Sequence, residues 1–249
     1  LAIEERPDPS PGPGEAVIKV GRAGICGSDL HMTSEPGTTI APGTIIGHEL
    51  AGEVVALGKG VTNLRIGDRV APLPFVGCGH CAACSDGRPH HCAQARIDVV
   101  TGFAQFSRVG VGDCVVLPPE LSDADGALIE PLAVGLQGVR KAQMQIGCRA
   151  LVLGAGPIGL ASAFWARRLG ASRVVVVAHS RRRERFARDF GATHFIAQSD
   201  VAEPAAAIND ALGGPPEVVF EAVGRPGAIG KAMEYVAPRG TIIGLGFTT

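Results

Sequence analysis

Ala150-Leu151-Val152-Leu153-Gly154-Ala155-Gly156-Pro157-Ile158-Gly159-Leu160-Ala161 is the stretch that decides the fold. Its first four residues form a short apolar run of strand type. Gly154, Gly156 and Gly159 then fit G-x-G-x-x-G, and Ile158, Ala161 and Trp165 form a helical stripe. A strand, a glycine turn and a helix in that order are the context this motif requires. The glycines let the backbone bend sharply and approach a pyrophosphate. The helix N-terminus then offers free N–H groups and the positive end of its dipole. Pro157 has no N–H to lose and suits a first helical turn. The alternative is a tight strand-to-helix turn with no ligand. Residues 150–166 carry no charge, yet the glycines and proline near their middle fit strand, turn and helix better than a membrane span.

Downstream the alternation continues. Strands are expected at residues 150–153, 173–177, 193–197, 217–221 and 241–245. Helical stripes lie between them: Phe186 and Phe190; Val201, Ala205, Ile208 and Leu212; Ile229, Met233 and Val236. Five strands alternating with helices predict an α/β fold with a doubly wound parallel sheet over 148–249. Upstream, residues 1–121 are rich in Gly and Pro, with short β-type runs at 17–20, 53–57 and 114–117. They predict a mostly β domain. Ser122-x-x-Asp125 marks a helix start, and Leu128, Leu132 and Leu136 continue it, so 122–147 is expected to bridge the two domains.

Composition narrows the function. Lys and Arg total 23 against 24 Asp and Glu, a net charge of −1, which disfavours a phosphate-tracking nucleic-acid binder. Hydrophobic residues make up 46% and charged residues 19%, enough for a buried core and unlike a disordered chain. No charged-then-apolar leader is visible, and a cytoplasmic protein without membrane or nucleic-acid partners is expected.

Dinucleotide folds usually place Asp or Glu at the end of the second strand, where it binds ribose hydroxyls. Here the strand at 173–177 is followed by Ala178-His179-Ser180-Arg181-Arg182-Arg183, with no carboxylate. A small residue, a hydroxyl and arginines suit a 2′-phosphate through charge-assisted bonds. Ala178, Ser180 and Arg181 are therefore expected to bind the cofactor, with NADP favoured over NAD. The alternative is a solvated helix start in which Glu184 and Arg188 form an i,i+4 pair.

Seven cysteines are an odd number, and their spacing suits metal better than disulfides. Cys78-x-x-Cys81-x-x-Cys84 and Cys92 offer four thiolates in a loop at about 77–93. Four cysteines suit a closed tetrahedral Zn²⁺ site that orders a lobe too small to pack itself. An iron–sulfur cluster is the rival. A second, dispersed set comprises Cys26, His48, Glu49 and Glu130. Thiolate, imidazole and carboxylate together make the composition of a catalytic zinc site with an open position.

These motifs carry a family resemblance. Cys26-Gly-Ser-Asp29, Gly47-His-Glu-x-x-Gly52, the four-cysteine lobe, Leu128-Ile-Glu-Pro-Leu132 and the Gly154–Gly159 turn stand in one order along the chain. The sequence resembles the zinc-containing medium-chain dehydrogenases, which include alcohol, sorbitol, threonine and butanediol dehydrogenases. Glu130-Pro-Leu is nearer the polyol, threonine and butanediol enzymes. The resemblance implies a GroES-like catalytic domain, a Rossmann domain, and an active site in the cleft. It implies one catalytic and one structural zinc, with Cys26 and His48 as ligands and Glu49 or Glu130 as the remaining one. Ser28 matches a substrate-binding hydroxyl and His31 a proton-relay histidine. Glu49 joins them as a catalytic residue, and Val223 joins the cofactor contacts with Gly154, Gly156, Pro157, Ile158 and Gly159. Met32, Ile40 and Phe103 are candidates for the substrate pocket.

The implied reaction moves hydride between a secondary alcohol or polyol and NAD(P), with zinc polarising the oxygen and Ser28 and His31 relaying the proton. A cofactor-binding module without turnover is the alternative. Family members extend past both ends of this sequence, so a truncated Rossmann domain lacking its last strand is expected. Residues 241–245 would then be an exposed edge strand, and the chain alone would be weakly active. The full-length protein is expected to be a homodimer or homotetramer.

Overall fold

The computed structural model describes residues 1–34, 40–97 and 100–247. It divides into two compact units, Leu1–Glu130 and Pro131–Thr249.

The first unit runs β1 (Glu15–Gly24), α1 (Gly27–Ser34), β2 (Glu49–Leu57), β3 (Arg69–Pro72), α2 (Ala82–Ser85), β4 (Phe106–Gly110), β5 (Cys114–Val116) and α3 (Asp123–Ala127). Its sheet has the order β4-β1-β2-β3-β5, and every pairing is antiparallel. Ile18, Leu50, Val54, Val70 and Val109 are fully or almost fully buried in its core. The strands β3 and β4 have no clear sequence signal. The first is four residues ending in Pro72, and the second carries Ser107 and Arg108. Each is a strand because β2 or β1 supplies the ladder.

The expected bridging helix is two helices. Its start is as predicted: Ser122 and Asp125 form a reciprocal capping box. Helix α3 then stops at Ala127, and α4 (Ile129–Lys141) begins beyond Leu128. Pro131 explains the break, because it has no N–H for the Ala127 carbonyl and its ring crowds that group. Leu128 is half exposed rather than part of a buried stripe.

The second unit continues with β6 (Arg149–Leu153), α5 (Pro157–Arg168), β7 (Arg173–Ala178), α6 (Glu184–Asp189), β8 (His194–Ala197), α7 (Pro204–Leu212), β9 (Val218–Glu221), α8 (Ala228–Tyr235) and β10 (Thr241–Gly244). The sheet order is β10-β9-β6-β7-β8, all parallel. Counted within this unit the order is 3-2-1-4-5 from one edge. The order reverses between β6 and β9, where doubly wound sheets bind ligands.

Both faces of this sheet are buried, which explains its near-continuous apolar strands. Ala150, Val152, Val174, Val176 and Phe220 pack with Val139 of α4 and Ala163 and Ala166 of α5. The alternate residues Leu151, Val175 and Val219 pack with Ile208 and Leu212 of α7 and with Ala232 and Tyr235 of α8. Two expected stripes are inward only in part: Val236 packs on the core and Phe190 on Phe164, while their other members face outward. Met233 is 66% and Phe186 56% exposed, while the smaller Ala232 and Ala187 turn to the core. Strand β10 forms one edge. No helix among the described residues is long and apolar enough to cross a membrane.

Candidate functional site

The four-cysteine lobe is gathered although it has almost no core. Helix α2 is a single turn with no buried residue. The sulfurs of Cys78, Cys81, Cys84 and Cys92 nevertheless all lie within 4.8 Å of one another. Cys81 and Cys84 are 3.6 Å apart, and Cys78 and Cys84 4.0 Å. A sulfur tetrahedron with Zn–S near 2.3 Å has edges of about 3.8 Å, so the cage fits that ion. The N–H groups of Cys78 and Gln94 point at the Cys92 sulfur, at 3.5 and 3.3 Å. Backbone N–H groups of His80 and Cys81 draw the Cys78 thiol down to about 6. For Cys84 the Gly79 amide lowers the value, but burial and three neighbouring sulfurs push it up to about 12. Full ionisation of the cage therefore needs a cation.

The lobe is tied to the sheet at its neck. Val76 and Arg96 exchange backbone hydrogen bonds of 2.9 Å. The Arg96 guanidinium meets the buried carboxylate of Glu15, which also accepts from Gly12 N–H at 2.9 Å. Burial pushes the Glu15 pKa up, but Gly12, Arg96 and Arg108 outweigh it and hold the carboxyl below its ordinary value.

The second set also converges. Cys26 immediately precedes α1, and Asp29 Oδ2 accepts from its N–H at 2.9 Å. His48 directly precedes β2, and Glu49 is that strand's first residue. One ligand atom from each of Cys26, His48 and Glu49 lies within 4.8 Å of the others. Asp29 is 2% exposed. Its Oδ1 is 3.6 Å from His48 Nδ1 and has no hydrogen-bond partner among the described residues. Glu130, in the first turn of α4, stands outside the group of three, though its charge is felt at His48.

The electrostatics ask for a cation. Cys26 beside it, against the opposing effect of burial, raises the His48 pKa to about 9, with Asp29 and Glu130 adding to the rise. Burial raises Glu49 and Glu130 as well. Sulfur, nitrogen and oxygen donors gathered together, with the buried Asp29 carboxylate beside His48, suit Zn²⁺. Ser28 and His31 lie three residues apart on α1 and so share a side of it. Phe103 lies against Gly47, where an added Cβ would come within 2.7 Å of its ring.

A cleft of about 860 Å³ opens in the second unit at the carboxyl ends of β6, β7 and β9. Gly154, Ala155 and Gly156 line it. Gly154 has φ of +100°, and a Cβ on Gly159 would stand 2.0 Å from the Gly154 carbonyl oxygen, so neither position accepts a side chain. Pro157 starts α5, and Pro157, Ile158 and Gly159 shape that helix start rather than line the cleft. Ala178 and Val223 do line it. Ser180 and Arg181 do not: Arg181 is held by Asp200 at 2.6 Å and Glu184 at 2.8 Å. Arg183 lies in the lining and donates to the Ala155 carbonyl at 3.0 Å.

Comparison with known proteins agrees with this arrangement. The family "Alcohol dehydrogenase GroES-like domain" matches residues 12–119, and the family "Zinc-binding dehydrogenase" matches 157–249. Sorbitol dehydrogenase of Bacillus subtilis is 34% identical over 98% of this chain and 72% of its own length. The chain belongs to the zinc-dependent medium-chain dehydrogenases. Among solved structures, 2R,3R-butanediol dehydrogenase from Bacillus subtilis is 33% identical, with a TM-score of 0.82 over 100% of this chain and 74% of its own. A zinc-binding dehydrogenase from Sinorhizobium meliloti, bound to NADP, is 31% identical, with a TM-score of 0.83 over 96% of this chain and 71% of its own.

In this dehydrogenase several residues at the two sites carry no distinct sequence signal. Asp29 lies within the Cys26–Asp29 motif, but nothing in its spacing tells that it faces His48. His179, Arg183, Arg225 and Lys231 line the cleft. Within three consecutive arginines, only the fold separates the one turned to the cleft from the one bound by carboxylates.

Proposed function

We propose that this dehydrogenase moves hydride between a secondary alcohol or polyol and a nicotinamide dinucleotide, with NADP favoured over NAD and two zinc ions per chain. The convergence of Cys26, His48 and Glu49 carries this proposal, because three unlike donors suit a reactive metal site more than a structural one. The first unit is its catalytic part and the second its cofactor part.

Cys26, His48 and Glu49 would hold the catalytic zinc, with the charge of Glu130, felt at His48, adding to the pull on the cation. When bound, that zinc supplies Lewis acidity that makes an alcohol easier to deprotonate. The nicotinamide, when bound, accepts the hydride. Asp29 orients His48 through its Nδ1 side and balances the local charge. Ser28 would hold the substrate hydroxyl and accept its proton while releasing its own, which His31, one helical turn on, would pass outward. The Gly154–Gly159 turn and the N-terminus of α5 hold the pyrophosphate. Ala178 leaves room where a carboxylate would repel a 2′-phosphate, and the nearby arginines favour it.

The test is a panel of secondary alcohols, polyols and amino alcohols, each with NAD and NADP. Turnover that needs zinc and prefers NADP is expected. Cofactor and zinc binding with no turnover on any member of the panel would instead support a binding module.

A further inference from the structure

Glu221 ends β9 beside the point where the sheet order reverses, and it is 2% exposed. Among the described residues no Lys or Arg pairs with it. Its Oε1 instead accepts from Val223 N–H at 2.6 Å and Gly224 N–H at 3.0 Å. Its backbone carbonyl accepts from Leu245 and Gly246 at 2.7 and 2.9 Å. The side chain is thus wedged between two turns, and an added Cβ on Gly246 would lie 2.8 Å from Oε2 and 2.2 Å from Gly224 N. A carboxylate is costly to bury, so its hydrogen bonds must be worth keeping. Those bonds go to a turn that lines the cleft. Val223 packs there against Gly154: a Cβ on Gly154 would stand 3.2 Å from its Cγ2.

We propose that Glu221 is a positioning residue for the cofactor. Its carboxylate fixes the turn at residues 222–224 and so holds Val223 against the glycine turn before the nucleotide arrives. This rests on the cleft being the dinucleotide site. Without the carboxylate, two N–H groups lose their acceptor and the turn relaxes, so binding must first reorder it. Because the turn does not depend on the 2′-phosphate, both cofactors should suffer alike.

The experiment titrates the zinc-loaded protein with NADPH and with NADH, following nucleotide fluorescence, for wild type, E221A, E221Q and E221D. Thermal midpoints are recorded alongside, and binding is measured well below them. Loss of two hydrogen bonds should raise both Kd values about tenfold in E221A. E221Q keeps an acceptor oxygen and should stay within about threefold of wild type. E221D keeps the charge but is one methylene short, and should bind at least threefold more weakly than E221Q. If E221A does not fold, this last comparison decides. KM for the cofactor should rise while kcat at saturation holds. Binding by E221A equal to wild type, or by E221D equal to E221Q, overturns the proposal. A wild type that binds neither nucleotide overturns the cofactor site itself, a distinct result.

Discussion

Asp29 Oδ1 lies 3.6 Å from His48 Nδ1, buried and without a hydrogen-bond partner among the described residues. Its other oxygen is spent on the Cys26 N–H. One carboxylate therefore fixes the Cys26 backbone by a hydrogen bond and faces the His48 ring as a charge 3.6 Å away. Outer partners of this kind are typically worth about 10–100-fold in metal affinity. Asp29→Ala should lose zinc from the Cys26–His48–Glu49 site by about that factor while keeping the four-cysteine zinc. Competition with a chromogenic chelator, resolving two classes of zinc, checks it.

The four-cysteine lobe should behave separately. Cys84→Ser removes a ligand from the middle of the cage and should cost one zinc per chain together with local order. Because the cleft proposed for the dinucleotide belongs to the other unit, nucleotide binding should survive. Zinc analysis and a nucleotide titration on the same sample are enough.

Glu15 predicts an acid dependence. Its folded pKa is held below the ordinary value of 4.5, so the unfolded chain takes up the proton more readily. The stability it adds is present above that value and is lost as pH falls through the folded pKa. Glu15→Gln should lower stability near neutral pH by about 1–3 kcal/mol and leave a shallower fall below about pH 4.5. Urea unfolding between pH 3 and 7 measures both.

Cofactor choice should turn on Ala178 and Arg183 more than on Arg181. Arg181 is engaged by Asp200 and Glu184, while Arg183 lines the cleft. Arg183→Ala should weaken NADP binding about tenfold and Arg181→Ala much less. Ala178→Asp should reverse the preference toward NAD. A wild type favouring NAD more than tenfold would contradict the assignment of a 2′-phosphate site.

The parts legible in the sequence are those whose signal is local. The glycine turn after an apolar strand, the capping box at Ser122 and the cysteine spacing each carry their own geometry. Strands β3 and β4 carry no local signal because their partners supply the pairing. The break at Leu128 follows from Pro131, a local signal that the leucine spacing obscured. Helix faces escape the sequence where size and burial part company: Ala232 sits inside and Met233 outside. Asp29, Arg183 and Glu221 needed the fold, since each acts on a neighbour that only tertiary structure brings near.

The most direct test is the hydride itself. A secondary alcohol deuterated at its carbinol carbon is incubated at length with the zinc-loaded protein and NADP, and the nucleotide is read by NMR. Deuterium at C4 of the reduced nicotinamide, absent in His48→Ala, is the predicted result. With two zinc ions and cofactor demonstrably bound, no label from any alcohol or polyol tried, or equal label from His48→Ala, would contradict zinc-dependent hydride transfer.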